Sequence, residues 1–203
     1  MTLHGTDAYT GLSGLPPLVR RALGAARAQS FPWSCRPEQG RLLQVLAGGV
    51  GGSGGRIGET GTGVGVGLAW LASGARAGVR LFSVEREPAR ARAAAEVFRD
   101  RPEATVVCGD WRDIAAYGPF ELLVLDGGGQ GKAPGDPAAD VERLLVPGGT
   151  VVIDDFTPAD RWPPRFCGDV DRARLHWLEH PALRAVEVRP APDLCAVVGT
   201  RRW

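Results

Sequence analysis

Residues 56–67 have the sequence RIGETGTGVGVG and run directly into the apolar segment 68–71, LAWL. The apolar start of this stretch ends at a carboxylate, Glu59, and glycine then occupies every second position from Gly61 to Gly67. A strand, a glycine turn and a helix start in this order direct backbone N–H groups and the positive end of a helix dipole at a ligand. Glycine suits the turn because a side chain would block that approach and because some positions need a positive φ. The stretch therefore predicts a site for a nucleotide-type cofactor.

After this stretch, short apolar runs alternate with helical patterns, which favours a Rossmann-like, doubly wound α/β fold. The runs are continuously apolar, as expected for five parallel strands that are covered on both faces. The last two runs, 183–189 and 194–200, are separated by only residues 190–193, so we expect a C-terminal antiparallel hairpin. The predicted parallel strands are 56–59, 79–85, 105–108, 120–126 and 150–155, and the predicted helices among and after them are 64–73, 88–99, 138–145 and 169–179.

The region before the first strand has a different pattern. Helices are predicted over 18–29 and from residue 37 onward, and the glycine-rich tract 47–55 is interpreted as a connector. We therefore expect residues 1–55 to form an N-terminal helical arm and connector. Residues 56–203 form the predicted cofactor domain, and the length of the chain suits one structural domain overall. The arm is where a homodimer contact is expected.

Composition restricts the class of partner. The formal net charge is +1, without the basic excess of nucleic-acid-binding proteins, so a nucleic-acid partner is not expected. The four cysteines are far apart and lack metal-finger spacing, which indicates reduced thiols of a cytoplasmic protein. Neither a signal-peptide core nor a membrane-length apolar run is present, so no membrane partner is expected.

Acidic residues recur where the predicted parallel strands end. Carboxylates that converge on one edge of a sheet repel each other unless a cationic or donor-rich ligand lies between them. Ligands of open parallel sheets bind at this edge, outside the carboxyl ends of the strands. The acidic residues are Glu59, Glu85, Asp110, Asp126, Asp154 and Asp155.

The charges also discriminate between cofactors. Glu85 lies at the end of the second strand, where an acid accepts hydrogen bonds from the ribose of an adenosine cofactor. This position suits a dinucleotide or S-adenosylmethionine, but the glycines match neither the dinucleotide fingerprint nor a phosphate loop. Glu59 is unfavourable beside a pyrophosphate and favourable beside an ammonium group. S-adenosylmethionine, with a cationic amino-acid end, fits better.

Residues 34–43, SCRPEQGRLL, together with 59–65, ETGTGVG, resemble the class I S-adenosylmethionine-dependent methyltransferases. The similarity is greatest to the branch that contains catechol and caffeoyl-CoA O-methyltransferases, and it covers about residues 34–155. The resemblance implies methyl transfer to a hydroxyl group of a small aromatic molecule. It further implies cofactor contacts by Glu59, Gly61, Thr62, Gly63, Gly65, Glu85, Gly109, Asp110, Trp111 and Asp126.

The same resemblance implies a site for Mg²⁺ or another divalent cation on Asp126, Asp154 and Asp155, whose oxygen ligands suit such ions. Two positions depart from the family pattern. Asp155 replaces an asparagine, and Gly129 occupies the position of the catalytic lysine. Asp126 and the nearby Lys132 are the candidate catalytic residues. The alternatives are a metal-independent methyltransferase acting on nitrogen or a macromolecule, and a non-catalytic cofactor-binding relic of the fold.

Overall fold

The computed structural model describes residues 4–133 and 135–203; residues 1–3 of the expected arm, and Pro134, lie outside the described residues. The strands are β1 (Arg56–Thr60), β2 (Arg80–Glu85), β3 (Ala104–Cys108), β4 (Phe120–Leu125), β5 (Leu145–Phe156), the short pair β6 (Arg165–Phe166) and β7 (Asp169–Val170), β8 (Leu183–Ala191) and β9 (Leu194–Arg201). One seven-stranded sheet has the order β3-β2-β1-β4-β5-β9-β8, in which β1 to β5 are parallel and β8 and β9 form an antiparallel hairpin. The expected parallel sheet with a C-terminal hairpin is confirmed.

Helices cover both faces of the sheet, which explains why its central strands are continuously apolar. Three of the helices begin at a proline, Pro17, Pro37 and Pro88, where its missing N–H costs no helical hydrogen bond. None of the helices in the described ranges is both long and apolar enough to cross a membrane. The helices are α1 (Pro17–Ala28), α2 (Pro37–Gly49), α3 (Val66–Gly74), α4 (Pro88–Val97), α5 (Val141–Leu144) and α6 (Arg172–Leu178).

The apolar core has one layer on each side of the sheet. One layer joins α1, α2 and α3 to the sheet and contains Val19, Leu43 and Leu68. The other contains Phe120 and Trp177, which are fully buried. Both faces of the sheet are thereby covered by apolar side chains.

Three sequence-based boundaries were wrong for local reasons. The first helix after the glycine turn begins at Val66, not 64, because Gly65 has a left-handed φ of 95°. The predicted helix 169–179 begins at Arg172, because Asp169–Val170 pairs with Arg165–Phe166 as β7 and β6. The predicted helix 138–145 is reduced to the single turn of α5, and β5 begins at Leu145 instead of 150.

Candidate active site

A cleft of 520 Å³ lies at the carboxyl ends of the central parallel strands, the edge at which open α/β sheets bind ligands. The structure brings most of the predicted cofactor residues together on its wall. The loop before α2 and the start of α4 supply further wall residues. The predicted residues that line the cleft are Glu59, Gly61, Thr62, Gly63, Glu85, Gly109, Asp110, Trp111, Asp126 and Asp155.

The floor of the cleft is made of backbone. Gly61 has φ 85°, and a Cβ there would lie 2.4 Å from the Cα atom of Gly127 in the loop after β4. A Cβ on Gly63, at φ 54°, would lie 2.9 Å from the Phe31 ring. Only glycine allows these two approaches. Gly65, for which a cofactor contact is also expected, is not among the residues that line the cleft, and a Cβ on it would lie 3.0 Å from the Phe98 ring.

Glu59, at the end of β1, is held by a chain of hydroxyl groups. Ser83 Oγ donates to Glu59 Oε2 at 2.5 Å, and Thr62 Oγ1 lies 2.6 Å from Ser83 Oγ. Because Ser83 has one hydroxyl hydrogen, Thr62 donates to Ser83. Burial raises the pKa of Glu59 to about 8; the Ser83 hydrogen bond opposes this rise, and the charges of Asp126 and Glu85 add to it.

Glu85, at the end of β2, connects the glycine turn to the loop that follows β2. Its Oε2 atom accepts a hydrogen bond from the Gly63 N–H group, and its Oε1 atom accepts one from Glu87 N–H, each at 2.8 Å. The side chain is 7% exposed and lines the cleft. A carboxylate oxygen has two lone pairs, so each oxygen still has capacity for a ligand hydroxyl group.

The loop after β3 forms the far end of the cleft. Asp110 accepts hydrogen bonds from the backbone N–H and the Nη1 atom of Arg112, at 3.1 and 2.9 Å. The Arg112 guanidinium lies 4.8 Å from the centre of the Trp111 ring. A Cβ on Gly128 would lie 2.5 Å from that ring, so the loop after β4 admits Trp111 only because it lacks side chains there.

Asp126, Asp154 and Asp155 bring carboxylate oxygens within 4.8 Å of one another. Burial raises the pKa of Asp126 to about 7, with the charge of Asp154 adding to the rise, and burial raises the pKa of Asp154 to about 6. Asp155 N–H donates to Asp154 Oδ1 at 2.7 Å. Asp155 has φ 62°, a left-handed conformation that Asp and Asn adopt more readily than most residues. The three oxygen donors are a suitable set for a hard divalent cation.

Lys132 lies beside this cluster but does not line the cleft. Its ammonium group donates to the backbone carbonyl of Asp154 and lies 3.9 Å from the centre of the Phe156 ring. Burial lowers its pKa to about 8, although Asp154 and Asp126 favour the charged form. Gln130 lines the cleft and also donates to the Asp154 carbonyl, at 3.1 Å.

One side of the cleft has an aromatic wall, of which sequence reasoning expected Trp33 but missed Phe31 and the neighbouring Arg90. The guanidinium of Arg90, in α4, lies 5.2 Å from the centre of the Phe31 ring and 5.6 Å from that of Trp33. The two rings contact each other edge to face with their centres 5.5 Å apart. Ser83 was also missed, because a serine inside an apolar strand carries no sequence mark of its partner.

Comparison with known proteins agrees with this geometry. Residues 59–156, from the acid before the glycine turn to the end of β5, match the methyltransferase domain family. This segment of the chain is similar to methyltransferase domains. The expected resemblance to class I methyltransferases is thereby confirmed. A protein from Mycobacteroides abscessus named as an O-methyltransferase is 36% identical over 127 residues, a match that covers 58% of this chain and 56% of that protein.

Solved structures share the methyltransferase fold over nearly the whole chain. Cofactor-bound Rv0187 from MTB has a TM-score of 0.71 at 24% identity and covers 100% of this chain and 99% of its own. The O-methyltransferase from Bacillus cereus, solved with S-adenosylhomocysteine, has a TM-score of 0.69 at 19% identity and covers 98% and 96%. TomG from Streptomyces achromogenes, an O-methyltransferase of tomaymycin synthesis solved with S-adenosylmethionine, has the same TM-score at 18% identity and the same coverage.

Proposed function

We propose that this chain is an S-adenosylmethionine-dependent O-methyltransferase that acts on a hydroxyl group of a small aromatic molecule. One observation carries the proposal. A single cleft is lined by the glycine turn, by a buried carboxylate, Glu59, at the end of the central strand β1, and by Glu85 and Trp111 at the ends of β2 and β3, successively further from β1 in the sheet. This distribution suits a ligand with an ammonium group at one end and an adenosine at the other. The methyltransferase domain match and the O-methyltransferase relative support it.

Each end of the cleft has a proposed task. Glu59 accepts hydrogen bonds from the amino group of the cofactor, and Glu85 accepts them from ribose hydroxyl groups. Trp111 offers an aromatic face to the adenine. When bound, S-adenosylmethionine supplies an activated methyl group. The chain then has to hold the acceptor oxygen in line with the methyl carbon and the sulfur.

The acidic cluster is the proposed binding site of a divalent cation. Asp126, Asp154 and Asp155 would hold Mg²⁺ or a similar ion, which lowers the pKa of a bound hydroxyl group. The raised pKa values of Asp126 and Asp154 fit this role, because a cation relieves the cost of ionising neighbouring buried carboxyl groups. A base role for Lys132 stays a prediction, and it requires the ammonium to leave the Asp154 carbonyl.

The proposal is tested by methyl-donor consumption with catechols, phenols and hydroxylated acyl thioesters as acceptors. We expect turnover of at least one acceptor class, loss of turnover in chelator and recovery with Mg²⁺. Asp154→Asn should reduce turnover at least tenfold. The matched variant Asp160→Asn, whose side chain is 98% exposed, should not. Turnover that is unchanged by both chelator and Asp154→Asn would refute the metal role.

The presence of Gly129 where the family has its catalytic lysine favours one alternative, a cofactor-binding relic without catalysis. The two candidates differ in outcome. A relic binds S-adenosylhomocysteine but consumes no methyl donor with any acceptor of the panel. Turnover that is insensitive to metal and selective for amines would instead indicate N-methyl transfer.

A further inference from the structure

The backbone at Asp154 lies where the regular pairing of β5 ends. On one side, the pairing of β4 with β5 ends at Leu125 and Ile153. On the other side, the pairing of β5 with β9 has a register shift between Ile153 and Phe156. A buried carbonyl group at such a position needs donors from outside the strand ladder. The Asp154 carbonyl takes its hydrogen bonds from side chains of the loop that follows β4.

Gln130, in that loop, joins the ends of β4 and β5. Its Nε2 atom donates to the Leu125 carbonyl at 2.8 Å and to the Asp154 carbonyl at 3.1 Å. Since both partners are carbonyl oxygens, the amide atom between them is the nitrogen, and both of its hydrogens are used. The Lys132 ammonium group also donates to the Asp154 carbonyl. Because Leu125 immediately precedes Asp126, one amide group connects the backbone beside the β4 acid to the backbone of a β5 acid.

Gln130 is itself held by the structure behind it. The indole Nε1 of the fully buried Trp177, in α6, donates to the Gln130 carbonyl at 2.8 Å. Gln130 also forms a β-bridge with Ala138, and the Ala139 N–H donates to the Gly129 carbonyl at 2.7 Å. The glutamine therefore has a fixed backbone, and its side chain restricts the positions of the two carbonyl groups that it joins.

The acidic cluster depends on how the ends of these two strands are spaced. Its carboxylate oxygens lie within 4.8 Å of one another, and one acid comes from the end of β4 and two from the end of β5. The residues proposed to bind the cofactor, Glu59, Glu85 and Trp111, lie at the ends of β1, β2 and β3, on the other side of β4 from β5. The hydrogen bonds of Gln130 therefore act on the cluster rather than on these three residues.

We propose that Gln130 is a positioning residue that sets the spacing of the acidic cluster for a divalent cation. The inference rests on the proposed metal role. A small ion such as Mg²⁺ requires oxygen ligands at about 2.0–2.1 Å in nearly ideal geometry. A change in the spacing of the two strand ends therefore weakens metal binding without removing any ligand, as is usual for residues that orient metal ligands.

The test measures two affinities on the same variants. The affinity for Mn²⁺ is measured from the electron paramagnetic resonance signal of the free ion, and the affinity for S-adenosylhomocysteine by calorimetry. Gln130→Met keeps a side chain of similar length and removes both hydrogen bonds. We expect the Kd for Mn²⁺ to rise at least about tenfold, the usual effect of losing a partner that orients metal ligands. The Kd for S-adenosylhomocysteine should change by less than about twofold, as for sites that share no partners.

Controls separate positioning from a general loss of structure. Gln130→Asn keeps the amide on a side chain that is one methylene shorter, so its Kd for Mn²⁺ should be intermediate. Gln44→Met is the matched control, the same exchange at a residue of α2 outside the cleft wall, and it should leave both Kd values unchanged.

Unchanged affinity for Mn²⁺ in Gln130→Met, or equal weakening of both ligands, would overturn the inference alone. A wild-type protein that binds S-adenosylhomocysteine but no Mn²⁺ would refute the proposed metal role together with the inference. A wild-type protein that binds neither ligand would overturn the proposed function and the inference with it.

Discussion

Gly67→Ala is the substitution that most cleanly separates cofactor binding from folding. Gly67 lies near the start of α3, and a Cβ there would be 2.4 Å from Glu59 Oε1. The atom in the way is the end of a side chain, so the backbone keeps its course while the carboxylate has to move. Its movement breaks the Ser83 hydrogen bond and shifts the charge that the proposed amino group contacts.

The two consequences differ in size. Losing a hydrogen bond to a charged group costs about 1.5–3 kcal/mol, which corresponds to a Kd about 10-fold to 150-fold higher. Stability changes less. Alanine is favoured over glycine in helices by about 0.5–1 kcal/mol, and the lost Ser83 bond costs about 1 kcal/mol. We therefore expect the free energy of unfolding to stay within about 1 kcal/mol of wild type.

The assay is calorimetric titration with S-adenosylhomocysteine, together with denaturant unfolding of the same samples. Gly24→Ala is the control, because Gly24 lies inside α1 and a Cβ there meets no atom within 4 Å. It should be as stable as wild type or more stable, with unchanged affinity. Wild-type affinity in Gly67→Ala would refute the assignment of Glu59, since the carboxylate cannot keep its position beside an added methyl group.

Three further outcomes are expected. Gly40→Ala places a Cβ within 2.2 Å of the Trp70 ring. It should lower the free energy of unfolding, measured by denaturant titration, by about 1–3 kcal/mol. A change in the free energy of unfolding equal to that of Gly24→Ala would contradict the close contact. Arg174→Met leaves the carboxylates of Asp171 and Glu187 without their buried partner and should cost about 3–5 kcal/mol, while the exposed Arg172→Met should cost little. In the unliganded protein, folding raises the pKa of Glu59 to about 8. Between the unfolded pKa and pH 8 the folded state therefore binds more protons than the unfolded state, and stability falls as pH rises through this range. Thermal unfolding should show that the stability of Glu59→Gln depends less steeply on pH than that of wild type, and equal slopes for the two proteins would argue against this titration.

The sequence predicts the sheet and one edge of the site because both follow from local patterns. Continuous apolar runs mark the buried parallel strands. Glycines mark the turn after β1, where Gly61 and Gly63 have positive φ. Glu59 and Glu85 line the cleft, and their positions at strand ends are enough to predict this.

Contacts between distant segments could not be predicted in this way. Arg90 stacks on Phe31 and Trp33 because α4 and the loop 31–35 are neighbours in the fold, which no local pattern reports. Arg174 is fully buried although arginine is usually exposed, because its charge is paired within a tertiary network. The local pattern of residues 169–170 predicts a helix, but pairing with β6 outweighs this preference.

The most direct measurement is a crystal structure of the protein grown with S-adenosylhomocysteine. We expect the ligand in the 520 Å³ cleft, with its amino group within hydrogen-bond distance of Glu59 and its ribose hydroxyl groups on Glu85. A ligand bound elsewhere, or a cleft without ligand in which both carboxylates contact only protein and solvent, would contradict this expectation.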